Sequence, residues 1–193
     1  MVNPKVQIKE NKILFNNRYV LRKVTFDLQT EEGYQTQHRE VYDRGNGSTI
    51  LLYNKKHKSI ILTKQFRIPT YLNGNDTGMM IEACAGQLDN DNPEDCIRRE
   101  TEEETGYRIS TVQKIFEAYM SPGSVTEIIH FFVAEYSKDM KKSEGGGLKD
   151  EQENIEVLEL PFSEALHLIQ TGEIKDAKTI MLLQYAQLNN IFI

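Results

Sequence analysis

The stretch Asn92-Pro93-Glu94-Asp95-Cys96-Ile97-Arg98-Arg99-Glu100-Thr101-Glu102-Glu103-Glu104-Thr105-Gly106 decides how the rest of the chain is read. It is bounded like a helix at both ends. Asn92 is a good N-cap, Pro93 suits a first helical position where no N–H is needed, and Asp95 stands three residues after the cap. Gly106 can take the left-handed conformation that ends a helix. The spacing predicts a helix over Pro93–Glu104. At roughly 100° per residue, Glu100, Glu103 and Glu104 share one arc with Cys96 and Ile97, while Arg98 and Glu102 point the opposite way. A solvated helix sets its charges opposite its apolar residues. Acids on the apolar arc therefore predict carboxylates turned inward, at the rim of the core.

Their placement is electrostatically poor. Glu103 and Glu104 occupy the last turn, where the helix dipole disfavours anions by roughly 0.3–1 kcal/mol each, and Glu100 with Glu104 is a like-charged i,i+4 pair. Arg99, four residues before Glu103, offsets part of this. A divalent cation would offset far more, because carboxylates at this spacing offer a hard ion two or three oxygen ligands from one helix face. On the residues alone, a merely charged, solvated helix remains the competing reading.

Outward from the helix, the preceding half of the chain reads as short strands rich in β-branched and aromatic residues: Tyr19–Leu28, Gln37–Tyr42, Thr49–Tyr53, Ser59–Thr63 and Met79–Ala85. Turn residues at Glu32-Gly33, Asp43–Gly47 and Asn54–His57 separate them. After the helix, Lys114–Met120, Glu127–Tyr136 and Ile155–Leu160 read as strands, and Phe162–Gln170 and Lys178–Asn189 as helices. The order is not a regular βα alternation, which predicts an α+β fold, an α/β/α sandwich with a mixed sheet, rather than a doubly wound parallel sheet. The expected division is an N-terminal β extension over residues 1–42 and a catalytic domain over 43–193. Lys138–Asn154 is polar and holds Gly145-Gly146-Gly147 followed by acids. By composition it is a mobile surface loop; a catalytic use needs support from elsewhere.

With 39% hydrophobic and 27% charged residues the chain is composed like a folded globular protein. A net charge of -6 argues against a protein that neutralises nucleic-acid phosphates. Cys84 and Cys96 are too few for a disulfide framework and are expected to be buried thiols. No apolar run reaches the length of a membrane span, so a cytoplasmic enzyme is expected. No Walker-type loop or Ser or Cys nucleophile motif is present. His130, within an apolar strand, is expected to be a satisfied core histidine.

The helix resembles the Nudix box, G-x5-E-x7-R-E-U-x-E-E-x-G-U with U apolar: Arg99-Glu100-Thr101-Glu102-Glu103-Glu104-Thr105-Gly106-Tyr107 matches every fixed position of its second half. The first half departs, since counting back places Asp91 at the glutamate and Ala85 at the glycine, and Gly86 fits only if the loop is one residue short. Thr101 also stands at an apolar position. Beyond the box, His38-Arg39-Glu40-Val41-Tyr42-Asp43-Arg44-Gly45-Asn46-Gly47, Ala85–Asp91, Met120-Ser121-Pro122-Gly123 and the triple-glycine loop are similar to the GDP-mannose pyrophosphatases, relatives of the ADP-ribose pyrophosphatases.

That resemblance implies a homodimer hydrolysing GDP-mannose to GMP and mannose 1-phosphate. It implies magnesium, with manganese as the alternative ion, held by Glu100, Glu104, the Ala85 carbonyl and an acid of the late loop. Within Glu151-Gln152-Glu153, that acid and base is expected to be Glu153 ahead of Glu151, with Glu103 assisting and a glycine hinge closing the loop. Substrate contacts are implied for Arg18, His38, Arg39, Glu40, Arg67, Ala85, Gly86, Gln87, Glu104, Glu127, Gln152 and Lys178. The competing functions are an ADP-ribose or broad nucleoside diphosphate sugar pyrophosphatase, and a non-catalytic sensor of nucleotide sugars.

Overall fold

The computed structural model describes residues 3–148, 150 and 152–192. Contacts along the chain divide it into two units, one running to Asn46 and including Tyr119–Ile128, the other made of Gly47–Ala118 and the chain from Ile129 onward.

The first unit is built on three long antiparallel strands, β1 (Val6–Asn16), β2 (Val20–Thr30) and β3 (Gly33–Asp43), in the order β1-β2-β3. The β2–β3 hairpin closes where Thr30 pairs with Gly33, whose φ of +114° only glycine adopts without strain. β1 was not expected from the sequence. Its pairing with β2 slips between Ile8 and Glu10 and again between Ile13 and Phe15. Each slip breaks the alternation that would have marked a strand. Every residue of β1 is exposed, including Ile8 and Phe15. The Tyr119–Ile128 segment is tied to the end of β3 by Tyr42 N–H donating to Ser124 O (2.7 Å) and Thr126 N–H to Tyr42 O (3.1 Å).

The second unit is a mixed sheet with the strand order β10-β5-β4-β9-β8. These are β4 (Gly47–Asn54), β5 (Ser59–Phe66), β8 (Gln113–Tyr119), β9 (Ile128–Glu135) and β10 (Glu156–Pro161). β4 runs parallel to β9 and antiparallel to β5. Two short strands, β6 (Met79–Glu82) and β7 (Cys84–Gln87), complete it. The single strand expected over Met79–Ala85 is thus two. β6 pairs with β5, β7 pairs with the first half of β4, and Ala83 lies where the chain changes partners.

The helices are α1 (Ile68–Leu72), α2 (Pro93–Thr105), α3 (Phe162–Thr171) and α4 (Ala177–Leu188). Strand alternation places α2 and α4 on opposite faces of the sheet. Ile50, Leu52, Phe132 and Ala134 share a core cluster with Ile97 of α2. On the other face Phe131 stacks on Phe116, which meets Tyr185 of α4 at 6.1 Å. Central β4 is buried on both sides for this reason. The expected α+β sandwich is the observed one. Among the described residues, no helix is long and apolar enough to cross a membrane.

α2 begins and ends as its sequence dictates. The Asn92 side chain accepts from Glu94 N–H and Asp95 N–H, and Gly106 closes the helix at φ 79°. Thr101, at a position where an apolar residue was expected, is fully buried because its hydroxyl donates back to Ile97 O and leaves only its methyl to the core. Both cysteines are free and buried. His130 departs from expectation: burial lowers its pKa, and its Nδ1 lies 3.2 Å from Glu117 Oε2 without hydrogen-bonding geometry. Replacing Asn92 with alanine removes both cap bonds and is expected to cost about 1 kcal/mol, read as a lower midpoint in urea unfolding with an unchanged slope.

Candidate active site

The carboxylates of α2 face the backbone of β7. A Cβ built on Gly86 would stand 2.1 Å from Glu100 Cδ, so only glycine lets the Glu100 side chain lie where it does. Gly86, which fits the box only with a loop one residue short, is thus the position where the close approach of Glu100 demands a glycine. In the loop between Gly86 and α2, Asp89 lies in the left-handed region at φ 45°, which a short Asp side chain tolerates. Glu104, 2% exposed, reaches the next residue back, with its Oε2 accepting from Ala85 N–H at 3.4 Å.

The expected sharing of charge around Arg99 is present. Its Nη1 lies 3.0 Å from Glu100 Oε1 and 3.1 Å from Glu103 Oε2, and its Nε lies 3.3 Å from Asp91 Oδ2. Asp91 therefore serves as a partner of Arg99. Glu102 faces away and pairs with Arg108.

Burial dominates the electrostatics. Desolvation pushes Glu100 up to about 7, with Arg99 opposing and Glu103 reinforcing the shift. Desolvation likewise pushes Glu104 up to about 8, the Cys84 thiol opposing as a hydrogen-bond partner while Glu100 and Glu153 raise it further. Burial first, and then the Glu104 charge, keep Cys84 itself a thiol. The acids form a site that resists holding its own negative charge. Hard oxygen donors in such a place suit magnesium or manganese, with Glu100, Glu104 and the Ala85 carbonyl as the groups to hold it. Among the described residues, no three His, Cys, Asp or Glu side chains are already arranged around an ion position.

The glycine loop, by composition a mobile surface loop, is bonded to the end of α2. Gly146 N–H donates to Glu104 O at 2.8 Å, Gly147 N–H to Glu103 O at 3.1 Å, and Lys142 N–H to Gly106 O at 2.7 Å. These amides occupy the carbonyls that the end of α2 leaves unpaired. A Cβ on Gly145 would meet Glu104 O at 2.4 Å, and Gly145, Gly146 and Gly147 all have positive φ. Gly145 is there for close backbone approach, whereas a Cβ on Gly147 would meet the Glu153 carboxylate. Docked in this way, the loop presents Glu153, whose Oε2 accepts from Leu148 N–H at 3.0 Å and whose charge bears on both Glu100 and Glu104. Gln152 beside it is left-handed at φ 59°. Glu151 lies outside the described residues.

The other residues expected at the site divide between the units. In the second unit, Gln87 O accepts from the Cys96 thiol at 3.1 Å. Arg67 Nη2 lies 2.7 Å from Glu82 Oε2, with Glu104 and Asp176 in electrostatic reach. Lys178 Nζ lies 2.6 Å from Asp176 Oδ1. In the first unit, His38 Nδ1 is bonded to Thr25 Oγ1 at 3.0 Å, Arg39 donates to Gln37 Oε1 at 2.9 Å, and Glu40 is exposed opposite Lys23. Arg18 lies 5.6 Å from the centre of the Tyr19 ring, and Glu127 pairs with Arg44 at 3.3 Å. Sequence reasoning missed Glu82, Asp176 and Thr179. Asp176, three residues before Thr179 at the start of a helix, carries an N-cap signal that could have been read.

Comparison with known proteins agrees with this geometry. The family model described as the NUDIX domain matches residues 43–183. The chain belongs to the Nudix family. It is a hydrolase acting on pyrophosphate bonds. Residues 5–42 match the model described as the GDP-mannose pyrophosphatase NudK N-terminal domain. A GDP-mannose pyrophosphatase of Shigella flexneri serotype 5b is 56% identical over 187 residues, covering 96% of this chain and 97% of the relative. The GDP-mannose pyrophosphatase of Escherichia coli O157:H7 shows the same identity and coverage.

If Gly86 holds Glu100 in place, then Gly86→Ala displaces the carboxylate by an ångström or more. Turnover is expected to fall about a hundredfold, measured as phosphate-ester release under saturating magnesium, while circular dichroism stays that of the wild type.

Proposed function

We propose that the chain hydrolyses GDP-mannose to GMP and mannose 1-phosphate as a magnesium-dependent homodimer in the cytoplasm. The reading is carried by Glu100 and Glu104, two desolvated carboxylates against the Gly86 and Ala85 backbone. The substrate choice is supported by relatives bearing that activity in their name over nearly the whole chain. Glu100, Glu104, the Ala85 carbonyl and Glu153 would hold the cation, which would neutralise the diphosphate and acidify a water.

The protein's own groups do the rest. Burial of Glu104 and the Ala85 N–H bond fix one ligand, and Gly86 leaves room for the other. The Leu148 amide fixes an oxygen of Glu153 beside both acids. Glu153 takes the proton as water oxygen bonds to phosphorus and the bridging P–O bond breaks, so no side-chain nucleophile is needed. Glu103 keeps Arg99 beside Glu100. Arginine and lysine side chains suit the phosphates and the base. Arg67 and Lys178, together with Arg18, His38, Arg39, Glu40 and Glu127, are assigned to substrate contact, as are Gln87 and Gln152. A second copy is the partner assigned to the exposed apolar residues of β1, because a three-stranded sheet that buries little of its own surface is marginal alone. Two free thiols agree with a reducing compartment.

Glu100→Gln and Glu104→Gln are each expected to abolish magnesium-dependent release of GMP while preserving the fold. Near-normal rates would remove α2 from the reaction. Comparison of kcat/KM across GDP-mannose, ADP-ribose and UDP-glucose is expected to favour GDP-mannose, and a clear preference for ADP-ribose would overturn the substrate.

A further inference from the structure

Ala83 is 2% exposed and sits where the strand leaves β5 for β4, so its amide has no ladder partner. An unpaired buried N–H is rarely tolerated. Here it donates to Thr179 Oγ1 at 2.7 Å, and Thr179 is fully buried in the first turn of α4. The Thr179 hydroxyl in turn donates to Asp176 Oδ2 at 2.7 Å, and the same oxygen accepts from Thr179 N–H at 2.9 Å. The second oxygen of Asp176 takes Lys178 Nζ at 2.6 Å. Every group in this chain of bonds is used, and its direction is fixed: amide to hydroxyl to carboxylate, with the ammonium on the other side.

We infer that Asp176 and Thr179 are positioning residues for the pyrophosphatase reaction, a buried relay that sets Lys178 and the Ala83 peptide relative to one another. The inference rests on the function proposed above. Ala83 is two residues before Ala85, whose carbonyl is assigned to the cation and whose amide holds Glu104. A shift of the Ala83 peptide therefore reaches the cation side of the site. A change at the Lys178 end reaches the substrate side. The two ends can be separated, because each oxygen of Asp176 serves one of them.

Thr179→Val keeps the shape and removes the hydroxyl; Thr179→Ser keeps the hydroxyl. Titration with Mn2+ alone, followed by electron paramagnetic resonance, is expected to show about tenfold weaker binding in Thr179→Val and near wild-type binding in Thr179→Ser. Deuterium exchange at the Ala83 amide is expected to speed up only in the valine variant. Asp176→Asn can still accept from Thr179 but turns an N–H toward Lys178, so KM for GDP-mannose rises several-fold while Mn2+ affinity holds. Equal Mn2+ affinity and Ala83 exchange in the valine, serine and wild-type proteins would overturn the relay. If the valine variant does not fold, an unchanged KM in Asp176→Asn overturns it instead. Wild-type protein that bound no Mn2+ would sink the proposed function and leave the relay to be judged on Ala83 exchange alone.

Discussion

Glu104 is removed from water almost completely, beside a second acid and within reach of a third, and much of the architecture serves to keep it there. A carboxylate in such a place is held only if its surroundings cannot relax away from it. The Ala85 amide and the Cys84 thiol hold it from the strand side. α2, pinned at one end by Asn92 and at the other by Gly106 and the glycine loop, holds it from the helix side. Burial, reinforced by the neighbouring acids, raises the pKa of Glu100 and Glu104, and oxygen donors held in this way suit a small, hard, doubly charged ion.

Glycine does two different things in this framework. Gly86 and Gly147 make space for side chains, those of Glu100 and Glu153, whereas Gly145 allows one backbone to approach another. Through the second effect α2, with Glu100 and Glu104, and the loop that carries Glu153 share hydrogen bonds, so the three acids are positioned together.

How far the sequence disclosed all this depended on whether a constraint was local. The bounds of α2, its inward acids and the Arg99–Glu103 pairing were legible because capping and helical spacing act over a few residues. β1 was not, since its bulges erase the alternation by which strands are recognised. The break at Ala83 was hidden because nothing in Met79–Ala85 announces a change of pairing partner. The glycine loop read as a mobile surface loop because composition reports freedom in the unfolded chain, and its docking depends on carbonyls about forty residues earlier. Arg67 and Lys178 were recognised by resemblance, but their partners Glu82 and Asp176 become visible only when strands and helices are assembled.

The central claim is that buried acids on α2 and an acid on the docked loop direct water to phosphorus. Hydrolysis of GDP-mannose with magnesium in oxygen-18 water, with the products resolved by mass spectrometry, tests it most directly. The account predicts one labelled oxygen in the phosphate of GMP or of mannose 1-phosphate, with unlabelled sugar carbon–oxygen bonds. Release of GDP with the label on the mannose anomeric carbon would show attack at carbon and contradict it.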